Sequence, residues 1–123
     1  MNKNEVVSIG TQKYTRIIAG YGHDFGAHHV YLVESVPPKA DDPIATFASV
    51  TFQKGPVKEN GVNGCHNEDL IAIVIHRLQH LNQGYFRCRE NSTAITKLEE
   101  SLMWLRKRTE DRVARGVEGT STI

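Results

Sequence analysis

Three arginines near the C-terminus, Arg108, Arg112 and Arg115, recur at intervals of four and three, so one helix would align their guanidinium groups along a single surface. Planar forks stacked in this way can grip phosphate oxygens through paired hydrogen bonds. Cations also suit a helix C-terminus simply by opposing its dipole, and spacing alone favours that plainer role.

The residues upstream change the weighing. Ile95, Leu98, Leu102 and Leu105 recur at alternating intervals of three and four, the stripe of a helix packed on a partner helix. Continued at the same period, the stripe lands on Thr109 and Arg112. A seam that is aliphatic for three turns thus becomes polar and cationic where it should still face a neighbour. Arg106, Lys107, Arg108, Arg112 and Arg115 crowd ten residues that hold only Glu110 and Asp111 in return. That favours a local anion site over a diffuse electrostatic role.

Other candidate chemistries are thinner. His76 and His80 stand four apart on a predicted helix, a spacing that suits two metal ligands. No third ligand sits at a recognised offset and the glutamate of a His-Glu-x-x-His motif is absent, so they read as solvated histidines. His28 and His29 point to opposite faces of a strand and cannot share an ion there. Cys65 and His66 are adjacent, and adjacent residues rarely face one another as nucleophile and base. The glycine-rich segment 20–26 is followed by a strand where a dinucleotide fingerprint needs a helix, so it reads as a hairpin connection. The loop 59–64 could bring backbone amides to an anion, although its Asn60-Gly61 and Asn63-Gly64 pairs are common turn formers. Residues Gly116, Val117, Glu118, Gly119 and Thr120 could fold over a ligand as a lid or simply fray. No metal, cofactor or catalytic set emerges.

These residues need elements to hold them. Residues 14–19, 29–34 and 45–53 are rich in β-branched and aromatic side chains, and 5–9 could add a short strand. With no helix between them they predict a small antiparallel sheet. A turn-rich loop follows. A helix is expected from about Asn67, whose side chain can cap it, with Leu70, Ile71, Val74, Ile75, Leu78 and Leu81 as its apolar face and Gly84 as its stop. The short turn after it predicts an antiparallel pairing with the arginine-bearing helix. The expected class is α+β. Residues 1–55 form a strand-rich subdomain, 56–66 a loop, 67–115 a helical hairpin and 116–123 a ligand-covering tail, within one structural domain of 123 residues.

A formal net charge of +1 speaks against DNA or membrane-surface binding, and no apolar run is long enough to span a bilayer. Two cysteines are too few for a disulfide framework and imply a reducing cytoplasm. Tyr85, Phe86, Met103 and Trp104 add more apolar surface than one hairpin covers, which predicts a two-fold dimer, hairpin against hairpin. Asn91 and Arg112 are roughly 30 Å apart along one helix, too far to touch one small molecule within a chain. In an antiparallel dimer, however, Phe86, Arg89 and Asn91 of one copy face Arg108, Thr109, Arg112 and the tail of the other. An aromatic face, an amide edge and guanidinium forks together suit a nucleotide.

At these residues the chain resembles a known family. The run 52–64 (Phe-Gln-Lys-Gly-Pro-Val-Lys-Glu-Asn-Gly-Val-Asn-Gly), the run 97–105 and the closing Arg115-Gly116-Val117-Glu118-Gly119-Thr120 are similar to the Thoeris anti-defence sponges of phages. The hairpin also resembles the helical domain of the anti-CBASS cyclic-nucleotide sponges. The resemblance covers 52–120, about half the chain. It implies a non-enzymatic protein of the host bacterial cytoplasm that sequesters glycocyclic ADP-ribose, the signal made by TIR-domain enzymes. It further implies dimers that build into hexamers as trimers of dimers, with separate pockets open to cyclic di- or trinucleotides. Carried over by position, the signal pocket uses Asn91, Arg108 and Arg112 with the 116–120 tail, and Phe86 is the chosen aromatic, with Tyr85 and Trp104 as rivals. A cyclic-nucleotide or ADP-ribose hydrolase is the alternative.

Overall fold

The computed structural model describes residues 4–10, 13–20, 22 and 24–123. The chain divides into two compact units, Met1–Cys65 and His66–Ile123. The first contains the strands β1 (Glu5–Val6), β2 (Thr15–Ala19), β3 (Val30–Ser35) and β4 (Thr46–Thr51), in that order across one sheet and antiparallel throughout. The second carries two long helices, as an α+β chain requires.

The sheet is a meander because each connection is too short to hold a crossover helix. Branched residues pair across β2 and β3, Ile17 with Val33 and Ile18 with Leu32, and Ala19 opposite Tyr31 is fully buried. Arg16 and Glu34 are also direct cross-strand partners, and the guanidinium Nε donates to the carboxylate at 2.7 Å. The 20–26 connection is a hairpin link containing a short 3₁₀ turn at Asp24–Gly26; its Tyr21 and His23 lie outside the described residues.

The loop after β4 is more ordered than its turn residues suggest. It contains a single helical turn, α1 (Val57–Asn60), and two side-chain amides brace it. Gln53 donates to the carbonyls of Gly55 and Gly61 and accepts from the Asn63 amide. Asn63 exchanges two hydrogen bonds with the Lys54 backbone, at 2.7 and 2.9 Å. Gly64 then passes so close to Phe52 that an added Cβ would sit 2.4 Å from its carbonyl carbon, and this closeness lets Cys65 bridge to Phe52.

In the second unit, α2 spans Asn67–Leu81 and α3 spans Arg89–Ala114. Asn67 is not the cap of α2. His66 holds that position in a capping box, and the Asp69 carboxylate reciprocates by accepting from the His66 backbone N–H at 2.8 Å. The helix stops at Asn82, ahead of Gly84. Ile75 on α2 and Leu102 on α3 are the buried residues where the two helices pack together. Val74, expected on the inner face, is exposed, as are Ile73, Met103 and Trp104.

Candidate functional site

The stripe along α3 holds its period to the end. Leu102 is buried, Ile95, Leu98 and Leu105 are half-buried, and so are Thr109 and Arg112, while Arg108 and Arg115 on either side are exposed. The polar continuation of the seam is therefore real surface against which something folds. At Arg112 that something is the tail.

Gly116, at φ 75°, takes the left-handed conformation that ends a helix with least strain. Its N–H donates to the Val113 carbonyl and that of Val117 to the Arg112 carbonyl, both at 3.0 Å, the paired closure of a Schellman motif. A second turn follows, in which the Thr120 amide and hydroxyl both donate to the Val117 carbonyl, with Gly119 at φ 76°. Arg112 reaches across both turns. Its Nη2 donates to the carbonyls of Val117 at 3.1 Å and Thr120 at 3.0 Å. Arg115 donates to the Ile123 carbonyl. Residues 116–120 are thus a built cap, with Val117, Glu118, Gly119 and Thr120 half-buried. Arg108 makes no ion pair or hydrogen bond among the described residues and stands one helical turn before Arg112.

The other candidates gather at the opposite end of α3. Cys88 caps the helix by accepting from the Asn91 amide through its sulfur. The Asn91 side chain donates back to the Phe86 carbonyl at 3.0 Å, and Asn82 ties the turn by accepting from the Cys88 amide and donating to Ser92. These bonds hold an aromatic pair in the open: Tyr85 and Phe86 stack edge to face at 5.4 Å, 95% and 66% exposed. Arg89 lines a shallow depression with Glu90, Thr93 and Ala94.

One chain therefore brings the predicted residues together in two groups. Phe86, Arg89 and Asn91 surround the start of α3; Arg108, Thr109, Arg112 and the 116–120 cap surround its end. Because α3 is one continuous helix of 26 residues, roughly 30 Å of axis separates the groups. Spacing alone missed two features. Cys88 as a cap carries no sequence signature beyond its place before the helix. Arg106 joins Thr109, Leu102 and Glu110 in a groove of about 380 Å³ completed by Glu68, Asp69 and Ala72, where the start of α2 meets the end of α3. That meeting establishes the antiparallel pairing. Among the described residues, no three His, Cys, Asp or Glu side chains gather as a metal site, and no helix is long and apolar enough to cross a membrane.

Residues 47–110 match the Acb2/Tad1 hairpin domain, more than half of the chain. The chain belongs to that family. It is 66% identical over 74 residues to Thoeris anti-defense 1 of Bacillus phage SBSphiJ7, a stretch covering 60% of this chain and 52% of the phage protein. The chain thus spans about half the length of the curated relative it matches. The family's matched region begins within β4, takes in the braced 53–64 loop and the hairpin turn, and ends before Arg112 and the cap.

Proposed function

We propose that this protein is a phage anti-defence protein that binds a TIR-derived cyclic ADP-ribose, glycocyclic ADP-ribose, and holds it intact, denying a Thoeris effector its signal. The observation that carries the reading is the 66% identity to a protein named Thoeris anti-defense 1. The two polar groups at the ends of α3 add chemical sense to it. Phe86 offers a face for a base, Arg89 and Asn91 polar edges, and Arg108 a guanidinium for phosphate beside Thr109 and the Arg112-tied cap formed by Gly116, Val117, Glu118, Gly119 and Thr120. On this reading the groups bind and orient the signal, and the protein sequesters it without degrading it.

The site is completed by a second copy. A helical unit of about 60 residues is only marginally stable by itself, and this one leaves Val74, Tyr85, Phe86, Met103 and Trp104 exposed. Two copies packed head to tail cover that surface and bring the start of one α3 to the end of the other. Such a dimer makes two equivalent pockets, and dimers assembling further as a trimer of dimers leave room for cyclic di- or trinucleotides elsewhere. The protein acts in the host cytoplasm, where the signal is made. Capture must reach nanomolar affinity, about −12 kcal/mol. Charge-assisted hydrogen bonds of roughly 1.5–3 kcal/mol each and a base stack of about 1–3 kcal/mol reach that scale if the cap and turn are already in place.

The test is recovery of the ligand. The protein is saturated with the product of a TIR-domain enzyme, washed by filtration and heated, and the released compound is identified by mass. Unchanged cyclic ADP-ribose is expected, and Arg108→Ala should retain none of it while keeping its melting temperature. Release of linear ADP-ribose or smaller fragments would make the protein a hydrolase instead.

A further inference from the structure

We propose that His76 and His80 on α2 form a two-imidazole chelate for a divalent transition-metal ion, a site independent of the nucleotide reading above. Their rings lie side by side, with centroids 4.6 Å apart and planes inclined at 55°. Both are exposed, and both line one open groove of about 770 Å³ together with Ala72, Ile73, Arg77 and Leu81.

The chemistry follows from that lining. Imidazole nitrogens bind zinc-like ions at about 2.0–2.1 Å, so a shared ion needs two ring nitrogens about 3 Å apart. Five-membered rings with centroids at 4.6 Å reach that spacing by small rotations of their own side chains. The helix between them is regular and fixes the separation, which limits the ordering needed when an ion arrives. His80 lies in the last turn of α2, where the helix dipole favours positive charge. No carboxylate lines the groove, and Arg77 there opposes any ion held by charge alone. Hard cations such as Mg²⁺ and Ca²⁺, which require oxygen ligands, are therefore excluded. Ions that form dative bonds to nitrogen are selected, in the order Cu²⁺ over Ni²⁺ and Zn²⁺. The groove is open, so the remaining coordination positions face water.

Ni²⁺ titrated into the full chain, followed by calorimetry and by broadening of histidine ring resonances, tests this. One ion per chain is expected, with His76 and His80 broadened before His28, His29 and His66. His76→Ala and His80→Ala should each weaken binding by at least about tenfold, His66→Ala should leave it unchanged, and Mg²⁺ should not compete. Both positions are exposed, so unchanged far-ultraviolet dichroism confirms that the variants fold. The chelate is refuted by a lack of Ni²⁺ binding, by weakening in one of the two variants alone, or by binding that survives both.

Discussion

The Arg112 guanidinium reaches eight residues ahead along the chain to the Thr120 carbonyl, 3.0 Å away, and the same nitrogen also holds the Val117 carbonyl. Arg112 therefore shapes the cap before any ligand is present. In the proposed site its role is to position residues 116–120, and Arg108 is the guanidinium that can turn outward.

Replacing Arg112 by lysine should loosen the cap although the charge is kept, because the lysine ammonium ends one bond short of the Nη2 that makes both hydrogen bonds. The amide of Thr120 is expected to lose hydrogen-exchange protection. Stability should fall by about 1 kcal/mol, less than a buried charged hydrogen bond gives, since solvent reaches this side chain. Unchanged exchange in the lysine variant would show that the backbone turns hold the tail unaided.

Gly64 permits the bridge between Cys65 and Phe52. Gly64→Ala places a methyl group against the Phe52 backbone, 2.4 Å from its carbonyl carbon, and should destabilise the fold by about 1–3 kcal/mol in thermal unfolding. Gly84→Ala is the control. Nothing lies within 4 Å of that position, so its effect should stay within about 0.5 kcal/mol.

Leu102 and Trp104 separate folding from assembly. Leu102 is 9% exposed, and Leu102→Ala should cost about 2–5 kcal/mol of stability. Trp104 is 58% exposed, and Trp104→Ala should leave the hairpin's helix content unchanged while lowering the mass measured by light scattering. A mass unaffected by this change would remove Trp104 from the proposed interface.

Asp24 and Lys54 form an ion pair at 2.9 Å, and the hydrogen bond and charge of Lys54 hold the Asp24 carboxyl below its ordinary value of 3.8. The folded value lies below the unfolded one, so the pair's stabilisation is present above about 3.8 and is lost as pH falls through the lower folded value. A carbon NMR titration should place the Asp24 midpoint below 3.8, and Lys54→Met should return it towards that value.

What the sequence alone determined is periodic or local. The three- and four-residue recurrence from Ile95 to Leu105 specified the seam of α3, and its continuation placed Thr109 and Arg112 facing a neighbour, where both are half-buried. The short turn before Arg89 specified the antiparallel hairpin, and branched residues without intervening helices specified a small antiparallel sheet. Tertiary structure decided which groups satisfy which. Gly116 reverses the chain so that tail carbonyls meet Arg112; His66, paired with Asp69, takes the capping role expected of Asn67; Val74 turns outward; and Gln53 and Asn63 lock a loop that reads as mere turns. The physical reason is that a helical or strand period is set by backbone geometry within a few residues, whereas a hydrogen-bond partner is chosen by wherever the chain returns.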